Sequence, residues 1–145
     1  MLAEAIKKRL SKEENQKGFT LIELLAVIVI LGIIAVIAVP LIGNVITNSR
    51  TNSDKAMAQQ IADAARLYVV GDLNGVYPAD PILLSTIQGA NYIDDNLVLP
   101  STKAALTVGT TSVTFNADGT LVNVTITPHP ASQSTDGVFT AAELK

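Results

Sequence analysis

Glu23 is the one ionisable side chain in a long apolar segment, and its position is the main chemical clue in the sequence. The next charged residue along the chain is Arg50. A carboxylate inside a membrane-spanning segment is costly, and such residues usually face a partner or a water-filled space. Two interpretations are open: Glu23 reaches the lipid headgroups at an interface, or it pairs with a charge on another molecule.

The rest of the chain offers no catalytic constellation. It has no cysteine and one histidine, His129, which lies between two prolines and fits a loop better than a metal site. The adjacent Asp94 and Asp95 fit a solvated turn, and no glycine-rich phosphate loop is present. Asp136 and Glu143 are a poor calcium set, because calcium prefers several oxygen ligands that converge on one point. We therefore predict a protein that is not an enzyme and uses no cofactor or metal.

The apolar run from residue 24 to residue 42 fits a lipid bilayer. Its 19 residues form about 28 Å of helix, and a bilayer core is about 30 Å thick. Only Arg50 and Lys55 follow it closely, whereas five cations precede it. The positive-inside rule therefore predicts a cytoplasmic N-terminus and an external C-terminal part. The preceding cations are Lys7, Lys8, Arg9, Lys12 and Lys17.

A secretory signal peptide is the main alternative for this segment. Signal peptides have a shorter apolar region, followed by a cleavage site of small residues. Here the run is longer, and the residues after it, Gly-Asn-Val-Ile-Thr-Asn-Ser, are a weak cleavage context. The small residue Gly18 lies before the run instead. A cut there would remove the charged leader and keep the apolar helix.

Residues 17–23, Lys-Gly-Phe-Thr-Leu-Ile-Glu, resemble the class III signal of type IV prepilins and pseudopilins. The resemblance implies that prepilin peptidase, a membrane-embedded aspartyl enzyme, cuts between Gly18 and Phe19 on the cytoplasmic side. It also implies that the same enzyme methylates the new amine of Phe19. The leader that this cut would remove, residues 1–18, is longer than that of many classical pilins.

The resemblance also gives roles to three residues of the apolar helix. Glu23 falls on the fifth mature position, where the family has a glutamate, and Gly32 and Pro40 match its helix-weakening positions. After cleavage, Glu23 lies about one helical turn from the Phe19 amine. In a bundle of such helices, the carboxylate of one subunit can meet the amine of its neighbour. Because opposite charges attract more strongly in a low dielectric than in water, this contact favours transfer from lipid into a filament.

Charge and cysteine content separate the leader from the rest. Residues 1–18 carry five Lys/Arg and three Glu, and the remainder carries five Lys/Arg and ten Asp/Glu. A mature chain this acidic has no general attraction to phosphate backbones, so we expect no direct nucleic-acid contact. Without cysteine, an exported domain cannot use a disulfide and depends on packing.

We predict an α+β fold in which a long N-terminal helix, as in the lollipop shape of pilins, packs on a small antiparallel sheet of about three strands. The predicted parts are a leader at 1–18, a transmembrane and filament-core helix at 19–43, an amphipathic helical half at 44–70 and a small globular domain at 71–145. Within the amphipathic half, apolar residues follow one helical face, and Gly71 fits a helix end. These apolar residues are Met57, Ile61, Ala64, Ala65 and Tyr68.

The globular part has weaker signals. Residues 81–88 fit one short helix. Alternation of apolar and polar residues predicts strands at 112–116 and 121–127, and a further strand is expected at 104–108. Residues 116–119, Asn-Ala-Asp-Gly, fit a hairpin turn between the last two strands.

Three classes of function remain. The first is a structural pilin of a surface filament for adhesion or twitching motility, and the second is a pseudopilin of a DNA-uptake or secretion system. The third, a signal-anchored domain that never polymerises, is disfavoured by the full motif. The resemblance implies these partners: other copies of the chain, prepilin peptidase, and an inner-membrane assembly platform driven by a cytoplasmic ATPase. It also implies residence in the membrane before assembly and at the cell surface afterwards.

Overall fold

The computed structural model describes residues 1–13, 18–131 and 137–145. The chain divides into two compact units, Met1–Gly43 and Asn44–Lys145. The first unit contains helix α1, Leu2–Glu13, and the beginning of helix α2, Leu21–Gly71. The second contains the remainder of α2, a short helix and a sheet.

The second unit is built on a four-stranded antiparallel sheet in the order β1-β2-β3-β4. A short helix of six residues, α3, directly follows β1. The elements are β1, Ile82–Leu83; α3, Leu84–Gly89; β2, Ser112–Phe115; β3, Leu121–Thr125; and β4, Val138–Thr140. The predicted α+β class, with a long helix and a small antiparallel sheet, is confirmed.

One row of apolar side chains crosses all four strands. Ile82 pairs with Val113, Val113 with Val124, and Val124 with Phe139. All four are buried. Because side chains on neighbouring strands in register share a face of the sheet, this row places one face of the sheet in the core, together with Phe115 of β2.

The second half of α2 supplies the facing part of the core. Ile61, Ala65 and Val69 are fully buried and belong to the same cluster as the sheet residues. Ala58 and Ala62 on the same helix are also buried and belong to this cluster. The predicted amphipathic face is confirmed: Ile61, Ala64 and Ala65 are buried, and Met57 and Tyr68 pack against the cluster. The helix ends at Gly71, as predicted.

The predicted turn between β2 and β3 is also confirmed. The Gly119 N–H donates to the Asn116 carbonyl (2.9 Å), and the Asn116 N–H donates to the Thr120 carbonyl (2.9 Å). Gly119 has φ = 83°, a left-handed conformation that glycine adopts without strain. The register shifts between Thr114 and Phe115, next to this turn.

The predicted strand at 104–108 is wrong. The backbone groups of this segment bond to two different parts of the chain, so no continuous ladder forms. Leu106 N–H donates to the Leu97 carbonyl, whereas Thr107 N–H donates to the Thr127 carbonyl. Only an isolated bridge joins Val98 and Ala105.

The prediction of one helix at 81–88 is partly wrong. Ile82 and Leu83 are extended and pair with β2, and the helix begins at Leu84. Strand β4, which pairs with β3, was not predicted from the sequence. The strand predicted at 121–127 ends at Thr125, although Ile126 N–H still donates to the Gly137 carbonyl.

Candidate functional site

The bond between Gly18 and Phe19 lies in a short non-helical segment. Gly18, Phe19 and Thr20 are outside any helix or strand, and α2 begins at Leu21. Phe19 is 82% exposed. A Cβ added at Gly18 would meet no atom within 4 Å, so the fold itself does not require glycine there. A requirement for glycine at this position would therefore come from a molecule that binds the segment.

Thr20 and Glu23 close the start of α2 by reciprocal hydrogen bonds. The Thr20 backbone N–H and hydroxyl both donate to Glu23 Oε2, at 2.7 and 3.0 Å. In return, the Glu23 N–H donates to Thr20 Oγ1 at 3.3 Å. This is a capping box, in which a residue before the helix and a glutamate three positions later satisfy each other's backbone donors.

The capping box holds the Glu23 carboxylate at the N-terminal end of α2. A carboxylate in the first turn of a helix is favoured by the positive end of the helix dipole. The hydrogen bonds from Thr20 end on Oε2, and an ionised carboxylate has acceptor sites on both oxygens. Oε1 can therefore accept a donor from another molecule while the cap stays closed.

Glu23 was predicted from the sequence as a site residue, whereas Thr20 was not. The signal was present, because Thr20-Leu-Ile-Glu23 matches the capping-box pattern of Ser or Thr followed three residues later by Glu. The structure thus adds Thr20 as a positioning residue for the Glu23 carboxylate.

Gly32 and Pro40 both lie inside α2, which continues through them without a break. Pro40 has no backbone N–H, so the carbonyl four residues earlier lacks its usual helical donor. A Cβ at Gly32 would meet no atom within 4 Å. The helix break assigned to these two residues stays a prediction.

The N-terminal part of α2 exposes an almost continuous apolar surface. It is long and apolar enough to cross a membrane, and none of its most apolar stretch is buried within the chain. Leu21, Ile28 and Val36, for example, are 65–87% exposed. Such a surface requires lipid or other helices to cover it.

Residues 1–13, 18–131 and 137–145 contain no group of three His, Cys, Asp or Glu side chains that could hold a metal ion. Glu143 accepts hydrogen bonds from the Thr140 N–H and hydroxyl, both at 2.9 Å. Its possible calcium partner from the sequence, Asp136, lies outside the described residues.

Two comparisons with known proteins bear on this arrangement. Residues 15–39 match the family model of the prokaryotic N-terminal methylation motif. The chain is also 34% identical over 110 residues to a fimbrial protein, EcpC, of Eikenella corrodens. The aligned region covers 74% of this chain and 67% of the relative. The chain belongs to the type IV pilin family. No solved structure matches it.

Membership of the pilin family explains why the chain carries an exposed apolar helix. Pilins polymerise into filaments, and an N-terminal apolar helix is suited to membrane anchoring before that step. The matched segment contains Gly18, Phe19, Thr20 and Glu23, so the capping box lies within the region that identifies the family.

Proposed function

We propose that the chain is the precursor of a structural pilin and that prepilin peptidase removes residues 1–18. The new amine of Phe19 is then methylated. The observation that supports this most directly is the exposed, non-helical Gly18–Phe19 bond, immediately before α2 and within the methylation motif. A peptidase requires an extended and accessible substrate segment, and α2 begins only at Leu21, after the bond, where the capping box lies.

Polymerisation follows from Glu23 and the apolar surface of α2. In the membrane, lipid covers this surface, and in the filament the equivalent helices of other copies cover it. The Phe19 amine of one copy approaches the Glu23 carboxylate of its neighbour, which neutralises both charges in a low-dielectric environment. The contact sets the register of adjacent subunits and favours the filament over the lipid-inserted state.

The proposed topology places the N-terminus in the cytoplasm and residues 44–145 outside the membrane. The cations before the apolar run support this orientation. Assembly then requires an inner-membrane platform driven by a cytoplasmic ATPase. The similarity to a fimbrial protein supports a surface filament for adhesion or twitching motility over the pseudopilin alternative.

Processing is tested by intact-mass measurement of the mature subunit. We expect a chain that begins at Phe19 with one added methyl group, and Gly18→Ala should accumulate as the uncut precursor. Gly32→Ala is the matched control, since a Cβ meets no atom within 4 Å at either glycine. The control should be cut normally. A mature chain that begins at Met1, or beyond Val39, would contradict the proposal.

Assembly is tested by separating the charge of Glu23 from its cap. Glu23→Gln keeps a capping-box acceptor, because glutamine also serves at this position, but it removes the charge. We expect this variant to be inserted and cut and to yield few filaments. Thr20→Ala removes the side-chain cap and keeps the charge, so it should retain more filaments than Glu23→Gln. The opposite order in sheared-fibre yield would show that the cap, and not the charge pair, directs assembly.

A further inference from the structure

The leader helix α1 has one apolar face that no part of the described chain covers. Leu2 and Ile6 are four residues apart, so they lie on the same side of the helix. They are 79% and 53% exposed. Glu4 and Lys8 are each two residues from Ile6, about 200° around the helix, and lie on the opposite side.

Two cations, Lys7 and Arg9, border this face. Glu4 is the one acidic residue among residues 1–9 and lies on the opposite side of the helix. Lys7 and Arg9 flank the apolar side, where long cationic side chains can lie along an apolar surface and keep their charges in a polar layer. An apolar face bordered by Lys and Arg is the pattern of helices that lie in a membrane interface.

The covalent connection keeps α1 close to a membrane. Seven residues separate Glu13 from Leu21, where the apolar helix begins, and seven residues span at most about 25 Å when fully extended. Once α2 is inserted, the end of α1 at Glu13 therefore stays within about 25 Å of the start of α2. Its local concentration there is high, so even a weak interfacial affinity is sufficient to dock it.

We propose that α1 binds the surface of an anionic phospholipid leaflet. Leu2 and Ile6 enter the boundary between headgroups and acyl chains, and Lys7 and Arg9 contact the lipid phosphates. A helix of 12 residues is marginal in water by itself, and burial of its apolar face in lipid stabilises it. If the proposed processing is correct, the Gly18–Phe19 bond is then held between two membrane-bound helices, at the surface where a membrane-embedded peptidase can reach it. The lipid contact itself does not depend on that processing.

Site-directed labelling of the full-length precursor tests the proposal, because the chain has no cysteine of its own. Ile6→Cys and Glu4→Cys would each carry an environment-sensitive fluorophore and be reconstituted without any other protein. The vesicles would contain phosphatidylcholine and phosphatidylglycerol at about two to one, which provides the anionic surface that cationic segments bind. A water-soluble quencher on both sides of the membrane makes the result independent of the orientation of insertion.

We expect the label at position 6 to be quenched at least about fivefold more slowly than the label at position 4, because only the first lies in the interface. Each cation near an anionic surface contributes about fivefold to the binding constant. Lys7→Gln should therefore reduce the protection at position 6, and vesicles of phosphatidylcholine alone should reduce it further.

Two results would overturn the proposal. Equal quenching at positions 4 and 6 in anionic vesicles would show that the face does not enter lipid. Equal protection at position 6 in anionic and neutral vesicles would show that anionic lipid is not its specific partner. Neither measurement involves cleavage or filaments, so failure here is distinguishable from failure of the proposed pilin function, which the mass of the mature chain reports.

Discussion

Gly71, the last residue of α2, lies directly against the side chain of Tyr92. A Cβ at position 71 would overlap the Tyr92 hydroxyl oxygen and lie 3.0 Å from Cζ. The Tyr92 ring also packs edge-on against Tyr68, with ring centroids 6.0 Å apart and an interplanar angle of 77°. Gly71→Ala must therefore displace the Tyr92 ring from this contact or shift the end of α2.

The size of this effect follows from two opposing terms. Forcing an extra group into a packed site costs about 1–3 kcal/mol. Replacing glycine by alanine returns about 0.4–1 kcal/mol, because the unfolded chain has less conformational freedom to lose. We expect Gly71→Ala to lower the free energy of unfolding by about 1–2 kcal/mol.

Thermal unfolding of residues 44–145 measures this change, since the buried apolar core residues of the described chain lie between Ala58 and Leu144. For a domain of this size, the expected loss lowers the melting temperature by about 4–15 °C. Gly89→Ala is the matched control, because a Cβ there meets no atom within 4 Å. Tyr92→Phe removes the overlapping oxygen and should restore much of the loss when combined with Gly71→Ala. Equal melting temperatures for Gly71→Ala and Gly89→Ala would refute the steric argument.

Two further predictions concern the β2–β3 turn and the filament. The Thr120 hydroxyl and N–H donate to Asp118, at 2.6 and 2.9 Å, and these hydrogen bonds lower the pKa of the Asp118 carboxyl. Because the pKa is lower in the folded state, the stabilisation from this carboxylate is present above about pH 4 and is lost as the pH falls below that. Acid titrations of stability should be less steep for Asp118→Asn than for the parent, and identical slopes would contradict the assignment. In the filament, Pro40→Ala should give a fibre that extends less under force, since proline costs about 3 kcal/mol relative to alanine inside a helix; equal extensibility, with Gly43→Ala as the control, would count against a helix break near Pro40.

The N-terminal half of the molecule could be predicted because its signals are local in the sequence. The length of an apolar run and the order Gly18, Phe19, Glu23 are read directly from neighbouring residues. The buried face of α2 could also be predicted from the sequence, because helical periodicity alone places Ile61 and Ala65 on one side of the helix.

The edges of the sheet could not be predicted in the same way. β1 has two residues and β4 has three, too few for an alternating pattern. Their extended conformation depends on partners distant in sequence, such as Val113 for Ile82 and Val124 for Phe139. At residues 104–108 the error was the opposite: a strand was predicted and none forms. This segment contains residues that favour β-strands, but its backbone hydrogen bonds go to two different segments of the chain. No single neighbouring strand runs alongside it, so no strand forms despite the favourable residues.

The capping box changes how the proposed assembly step works. If Glu23 had no partner within its own chain, a neighbour's amine would have to order both the carboxylate and the first turn of α2. Instead, Thr20 already holds the carboxylate through Oε2. The amine of a neighbouring Phe19 can then bind Oε1 without breaking the start of the helix. Hydrogen bonds from Thr20 do not neutralise the charge, whereas an amine does. In the proposed assembly step, the cap therefore keeps the first turn of α2 ordered before a second copy binds, and the stabilisation from charge neutralisation is gained only when that copy's amine arrives.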